Sequence, residues 1–225
     1  MQIFYFSAAR VVSAHPMPTS PQSWPLSWIA RSHQAFVSGR RTRVIAEALA
    51  PLVPRNASVL DVGCGDGVVA TLLAGRRPDI AVEGVEVAPR PGCTIPCRPF
   101  DGERLPFPDG SFDVCLFVDV LHHTSDVTQL LGEAARVARS CVLLKDHLCE
   151  STVDHGILRA MDWLSNRPHG VVLTYNYQSL TDWRRHFATC HLQAEQLSTA
   201  LPLYPFPFSL LFGRGMHFVA QLRRL

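Results

Sequence analysis

The sequence predicts an α/β protein with a doubly wound, mostly parallel sheet and helices on both faces. From about residue 59 to residue 147, short β-branched apolar runs alternate with turns and helical stretches, the pattern of strands returned by crossover helices. The first of these runs passes directly into a glycine-dense turn, which in such a sheet lies at the carboxyl edge where ligands bind. With 225 residues, 47% of them hydrophobic, the chain can bury the core of one globular domain.

The candidate strands are Val59 to Val62, Ala81 to Val85, Ile95 to Phe100, Val114 to Val118, Cys141 to Lys145 and, near the end, Gly215 to Leu222. Val127 to Arg139 places Leu130, Leu131, Ala134, Val137 and Ala138 on one helical stripe. Trp183 and Phe187, four residues apart, predict a buried stripe on a helix over 179–188. Upstream, Ile45 and Leu49 lie one turn apart and Pro51 stops the run, so residues 27–50 read as one or two helices. Residues 1–26 read as a flexible leader, because four prolines between positions 15 and 27 oppose both helix and central strand. Residues 27–225 are then expected to form the domain, and the stretch 202–207 a connection before the last strand.

The bulk numbers exclude several classes of protein. A formal net charge of +2 lacks the basic excess that many phosphate contacts require, which disfavours nucleic acid as a partner. Every apolar stretch is interrupted well before the roughly 18 residues that a membrane span needs. Arg10 splits the first apolar segment and no basic region precedes it, unlike a secretory signal. Seven scattered cysteines, several inside apolar runs, suit reduced thiols and a cytoplasmic setting. Only Cys93 and Cys97 are close in sequence, and no second pair follows at finger-like spacing, so no metal site is expected.

The segment Val59-Leu60-Asp61-Val62-Gly63-Cys64-Gly65-Asp66-Gly67 carries the most chemistry. Glycines let main chain turn sharply and approach a ligand that a Cβ would push away. The spacing Gly-x-Gly-x-Gly, with Val68 where a dinucleotide fingerprint has its last glycine, argues against a nicotinamide-dependent oxidoreductase. The segment resembles motif I of class I S-adenosylmethionine-dependent methyltransferases, particularly the small-molecule group that includes ubiquinone and menaquinone biosynthesis enzymes. Glu86 at the end of EGVEV, the stretch PFDGERLPFPDGSFDV and the run VDVLHHTSD extend the likeness, in order, over about residues 40–147.

The resemblance implies a Rossmann-like, seven-stranded fold, S-adenosylmethionine as cofactor and methyl transfer to a small molecule. Its cofactor half is residues 40–147, and acceptor-side elements and last strands follow over 148–225. Gly63, Cys64, Gly65 and Gly67 supply close main chain, with Asp61 either touching the cofactor or ordering the loop. Glu86 accepts the ribose hydroxyls, Asp101 lies beside the adenine amino group, and Val87, Gly102 and Val118 line the site. Glu83 lies too early in its strand to be the ribose acid. The competing reading is a non-catalytic protein that keeps the cofactor pocket for regulation or structure.

Candidates for a general base are His122, His123 and His147, since imidazole titrates near neutrality. Asp146 competes with them at the same sheet edge. Adjacent side chains rarely aim at one point, so at most one of His122 and His123 is expected to face the cleft, and packing is the rival role for both. Asp119 with His122 and His123 has no metal-ligand spacing. No Asn/Asp-Pro-Pro-Tyr motif follows the fourth strand, which favours O- or C-methylation over N-methylation. Trp163, His169, Tyr175, Tyr177 and Trp183 are candidate acceptor-pocket walls or ordinary core. Neither the acceptor nor the oligomeric state is written in the sequence.

Overall fold

The computed structural model describes residues 39–166, 174–206 and 208–225. The expected leader, and the first part of the helical segment before residue 39, lie outside them, as does His169. Among the described residues, a seven-stranded sheet runs β1 (Ser58–Val62), β2 (Ala81–Glu86), β3 (Cys97–Pro99), β4 (Phe112–Val118), β5 (Ala138–His147), β6 (Leu192–Ser198) and β7 (His217–Arg224). Its spatial order is β3-β2-β1-β4-β5-β7-β6. The first five strands are parallel, whereas β7 pairs antiparallel with both β5 and β6.

Helices are α1 (residues 39–49), α2 (Val68–Arg76), α3 (Val127–Val137), α4 (Thr152–Asn166), α5 (Leu180–Thr189) and the short α6 (Ser209–Phe212). The pleat sends alternate side chains to opposite faces. Val59, Val114, Leu116 and Leu143 pack with Ile45 and Leu49 of α1 and Leu73 of α2. Leu60, Cys115, Phe117 and Leu144 pack on the other face with the α3 stripe and with Trp183 and Phe187 of α5. Both faces are therefore covered, which is what near-continuous apolar strands require.

Several element boundaries differ from expectation. α3 stops at Val137 because Ala138 is already extended and begins β5 without a loop. β5 continues beyond Lys145 through Asp146 and His147, which pair with Phe218 and His217 of β7, so the antiparallel partner lengthens the strand. β3 is only three residues, and β7 is displaced two residues toward the C-terminus of the expected span. β6, whose residues beyond Leu192 are exposed, has a weak apolar pattern, and neither it nor α4 was anticipated. Trp183 and Phe187 are buried on α5 as expected.

Candidate functional site

The carboxyl edge divides into two parts. On the β1–β3 side the site is made largely of main chain. The amides of Gly63 and Cys64 both donate to the Val85 carbonyl, at 2.8 and 3.2 Å, which folds the loop across the end of β2. Gly63 has φ +72°, and a Cβ there would lie 2.8 Å from Val120 Cγ2, so the loop is pressed against the β4 exit. Gly65 has φ +58°, yet a Cβ there would meet nothing nearer than Arg90 Cζ at 4.0 Å. Its neighbourhood is a cradle that a side chain would fill. The Gly65 amide donates to Glu86 Oε2 at 2.8 Å, and Val87 N donates to Oε1 at 2.8 Å, so Glu86 is fixed at the end of β2.

Asp61 is buried in β1 and has no ion pair among the described residues. Burial, then the nearby Glu86 and Asp66, pushes its carboxyl up to about 7. Asp101 follows β3 and accepts from the amides of Glu103 and Arg104, at 2.8 and 2.7 Å, which holds it below the ordinary carboxylate range. Gly102 at φ +87° packs under Val87, whose side chain is 58% exposed at the same edge.

On the β4–β5 side the site is a buried chain of ionisable side chains. Asp119, at φ +58° just beyond β4, is held by Arg41 of α1 at 2.7 Å and by the ammonium of Lys145. Burial alone would raise Asp119, but Arg41 and Lys145 outweigh it and hold the carboxyl well below its ordinary range. Burial brings Lys145 down to about 8, against the pull of Asp119. Next to it, His122 Nδ1 lies 2.6 Å from Asp146 Oδ1, and its Nε2 lies 3.5 Å from Asp162 Oδ2 of α4. Tyr177 donates to that same Asp162 oxygen. Burial opposes a charge on His122, yet Asp146 and Asp162 prevail and its pKa is raised.

The neighbouring imidazoles behave oppositely. His123 is brought down to about 4 by burial and by His122, and its Nδ1 has no hydrogen-bond partner among the described residues. Burial and His122 also lower His147, whose Nδ1 lies 3.3 Å from His122 Nδ1. Burial and Lys145 hold His217 well below its ordinary value.

The structure thus brings Asp61, Gly63, Cys64, Gly65, Gly67, Glu86, Val87, Asp101 and Gly102 to the ends of β1–β3, with Val118 ending the adjacent β4. It brings His122, His123 and His147 into a second cluster, where the His122 and His123 rings lie 4.0 Å apart and His122 meets the acids. Glu83 instead pairs with Arg98 at 3.5 Å. Sequence reading missed Arg41, Lys145, Asp162, Tyr177 and His217 as members of this cluster. Only the run Lys145-Asp146-His147, which prolongs an apolar strand with three ionisable groups, offered a signal.

Residues 60–143 match the family described as the methyltransferase domain. Over that stretch the chain is similar to the methyltransferase domain family. A 27-O-demethylrifamycin SV methyltransferase of Amycolatopsis mediterranei is 31% identical over 113 residues, 44% of this chain and 41% of that protein. A demethylmenaquinone methyltransferase of Tropheryma whipplei is 37% identical over 97 residues, 39% of each chain. The chain therefore spans about two fifths of the length of these curated relatives, at 41% and 39%. Among solved structures, a putative methyltransferase of Haloferax volcanii, in complex with the Trm112 methyltransferase activator, superposes with a TM-score of 0.65 at 17% identity. That alignment covers 88% of this chain and 97% of that one, and it shows a shared fold.

A relative 35% identical over 114 residues, from Mycobacterium tuberculosis, is described as a probable S-adenosylmethionine-dependent methyltransferase, and the residues present here suit that cofactor. Its sulfonium and amino groups are cationic, and Asp61 is a buried carboxyl without a cationic partner among the described residues. The cradle at Gly65 admits close approach of a ligand to main chain. No described helix is long and apolar enough to cross a membrane.

Proposed function

We propose that the protein transfers the methyl group of S-adenosylmethionine to a small-molecule acceptor, at oxygen or carbon rather than nitrogen. The observation that carries this reading is the cradle at Gly65, bordered by Glu86 and by the unpaired acid Asp61. Main chain from Gly63 to Gly67 and Asp61 would hold the amino-acid end, Glu86 the ribose diol, and Val87, Asp101 and Gly102 the base. Bound S-adenosylmethionine supplies a methyl group already activated on a sulfonium. The chain's own task is then to align the partners and exclude water. The β4 exit reads Asp119-Val120-Leu121-His122, without the Asn/Asp-Pro-Pro-Tyr arrangement of amine-methylating enzymes, which supports oxygen or carbon as the target.

Of the three imidazoles, His123 is the general base in this reading. Its ring is neutral at pH 7, its buried Nδ1 has no partner among the described residues, and in this reading an acceptor hydroxyl reaches that atom and gives up its proton there. His122 already holds its proton between Asp146 and Asp162 and acts as a positioning residue, with His147 packed behind it. His123→Ala should lower turnover by about 100-fold or more while leaving affinity for S-adenosylhomocysteine unchanged. Steady-state rates that match the parent protein would remove His123 from this role.

The experiment for the whole reading has two steps. Calorimetric titration with S-adenosylhomocysteine should show one site per chain, and lack of association at millimolar ligand would overturn the cofactor assignment. Incubation of methyl-labelled S-adenosylmethionine and a metabolite extract should then yield a labelled small molecule. Cofactor binding without any labelled product would favour the non-catalytic alternative.

A further inference from the structure

Cys64, Cys93 and Cys97 have no side-chain role in the function proposed above. They come from the glycine loop, the β2–β3 connection and the first residue of β3, yet their sulfur atoms all lie within 4.8 Å of one another. Cys64 Sγ and Cys97 Sγ are 3.4 Å apart. The fold makes room for this grouping. A Cβ on Gly84 of β2 would fall 2.5 Å from Cys64 Sγ, and one on Gly67 would fall 3.2 Å from Cys93 Sγ.

The connection that carries Cys93 is fastened to the glycine loop and to β2. Thr94 donates to the Asp66 carbonyl through its amide at 2.9 Å and its hydroxyl at 3.1 Å. The Thr94 and Thr71 hydroxyls are 2.7 Å apart. Gly84 N donates to the Pro96 carbonyl at 2.8 Å. The three thiols are therefore gathered by main chain and held before any ligand arrives.

We propose that Cys64, Cys93 and Cys97 bind one thiophilic divalent cation, with Zn(II) as the representative ion, that ties the glycine loop to β3. Zinc–sulfur bonds of ~2.3 Å in a tetrahedron set sulfur atoms ~3.8 Å apart, within the range of this cluster. The carboxyls of Asp61 and Glu86 are near enough to act on Cys64 and Cys97, respectively. All three cysteines are partly exposed, so an ion can enter and solvent can complete its coordination. Binding forms three metal–sulfur bonds and releases three thiol protons to the buffer, with no change in oxidation state. A disulfide between Cys64 and Cys97 would need an oxidant and would leave Cys93 without a role. The spacing hid this site, since Cys64 lies 33 residues before Cys97 and the three do not form a finger-like motif.

The test is titration of the reduced full chain with Co(II), followed by displacement with Zn(II). The expected result is one Co(II) per chain with a near-ultraviolet sulfur-to-cobalt charge-transfer band that Zn(II) abolishes. Cys93→Ser and Cys97→Ser should each weaken binding at least about tenfold. Cys149→Ser, remote from the cluster, should not. Zn(II) should also raise the thermal midpoint of the parent chain but not that of Cys97→Ser. Absence of the charge-transfer band, or an affinity unaffected by Cys93→Ser and Cys97→Ser, overturns the inference. An ion lost instead on His122→Ala would belong to the histidine cluster and overturns it equally. None of these readouts uses S-adenosylmethionine, so failure here is distinct from failure of the proposed function.

Discussion

The two parts of the carboxyl edge solve opposite problems. The β1–β3 side presents main chain and a few acids to the outside, and apart from Asp61 its polar groups are partly exposed. The β4–β5 side buries Lys145, Asp146, His122, His147 and His217 at no more than 3% exposure and satisfies most of them with one another. Taking such charges out of water is costly unless each keeps its partner. The first region thus leaves main chain and acids open at the sheet edge, whereas much of the second is bound to itself and leaves the buried His123 Nδ1 and His217 Nε2 without hydrogen-bond partners among the described residues.

That contrast is open to attack by substitution. The largest effect is expected at Asp146→Ala, which strands the His122 cation: a loss of about 3–5 kcal/mol in urea unfolding. An unchanged unfolding midpoint would show that the cluster does not depend on internal pairing. Gly65→Arg should instead spare most of the fold and weaken S-adenosylhomocysteine about 100-fold in calorimetry, by filling the cradle and forcing a side chain into positive φ. Equal binding would remove the cradle from the site.

A finer comparison lies within β2. Glu86→Gln should weaken the same ligand about tenfold, as expected for loss of a charged hydrogen-bond acceptor, while Glu83→Gln, beside Arg98, should leave it unaltered. The smallest effect is in pH. Asp61 titrates at about 7 in the free protein, and a cationic ligand favours its ionised form. Affinity for S-adenosylmethionine should therefore rise severalfold between pH 6 and 8 and level off above that. Asp61→Asn should flatten this rise; a slope that persists in the variant assigns it to another group.

The difference between the regions also explains what could be read in advance. The glycine loop and Glu86 are local features: a strand, a turn and a strand end announce themselves within a few residues. The central strands were legible for a related reason, since burial on both faces leaves a continuous apolar run. β6 was not, because Gln193 to Ser198 form an exposed edge and needed no apolar pattern. Nor was the extension of β5 through Asp146 and His147, which depends on pairing with β7 some 70 residues away, His147 with His217.

By itself, then, the sequence determined the central strands, the glycine turn after β1 and the acids beside it, because those depend on periodicity and backbone freedom. Tertiary structure alone decided that Arg41, Asp119, Lys145, Asp162 and Tyr177 belong with the histidines, and that Cys64 meets Cys93 and Cys97. Charge pairing and sulfur proximity act through space. Positions far apart along the chain carry no mark of either until the sheet brings their strand ends together.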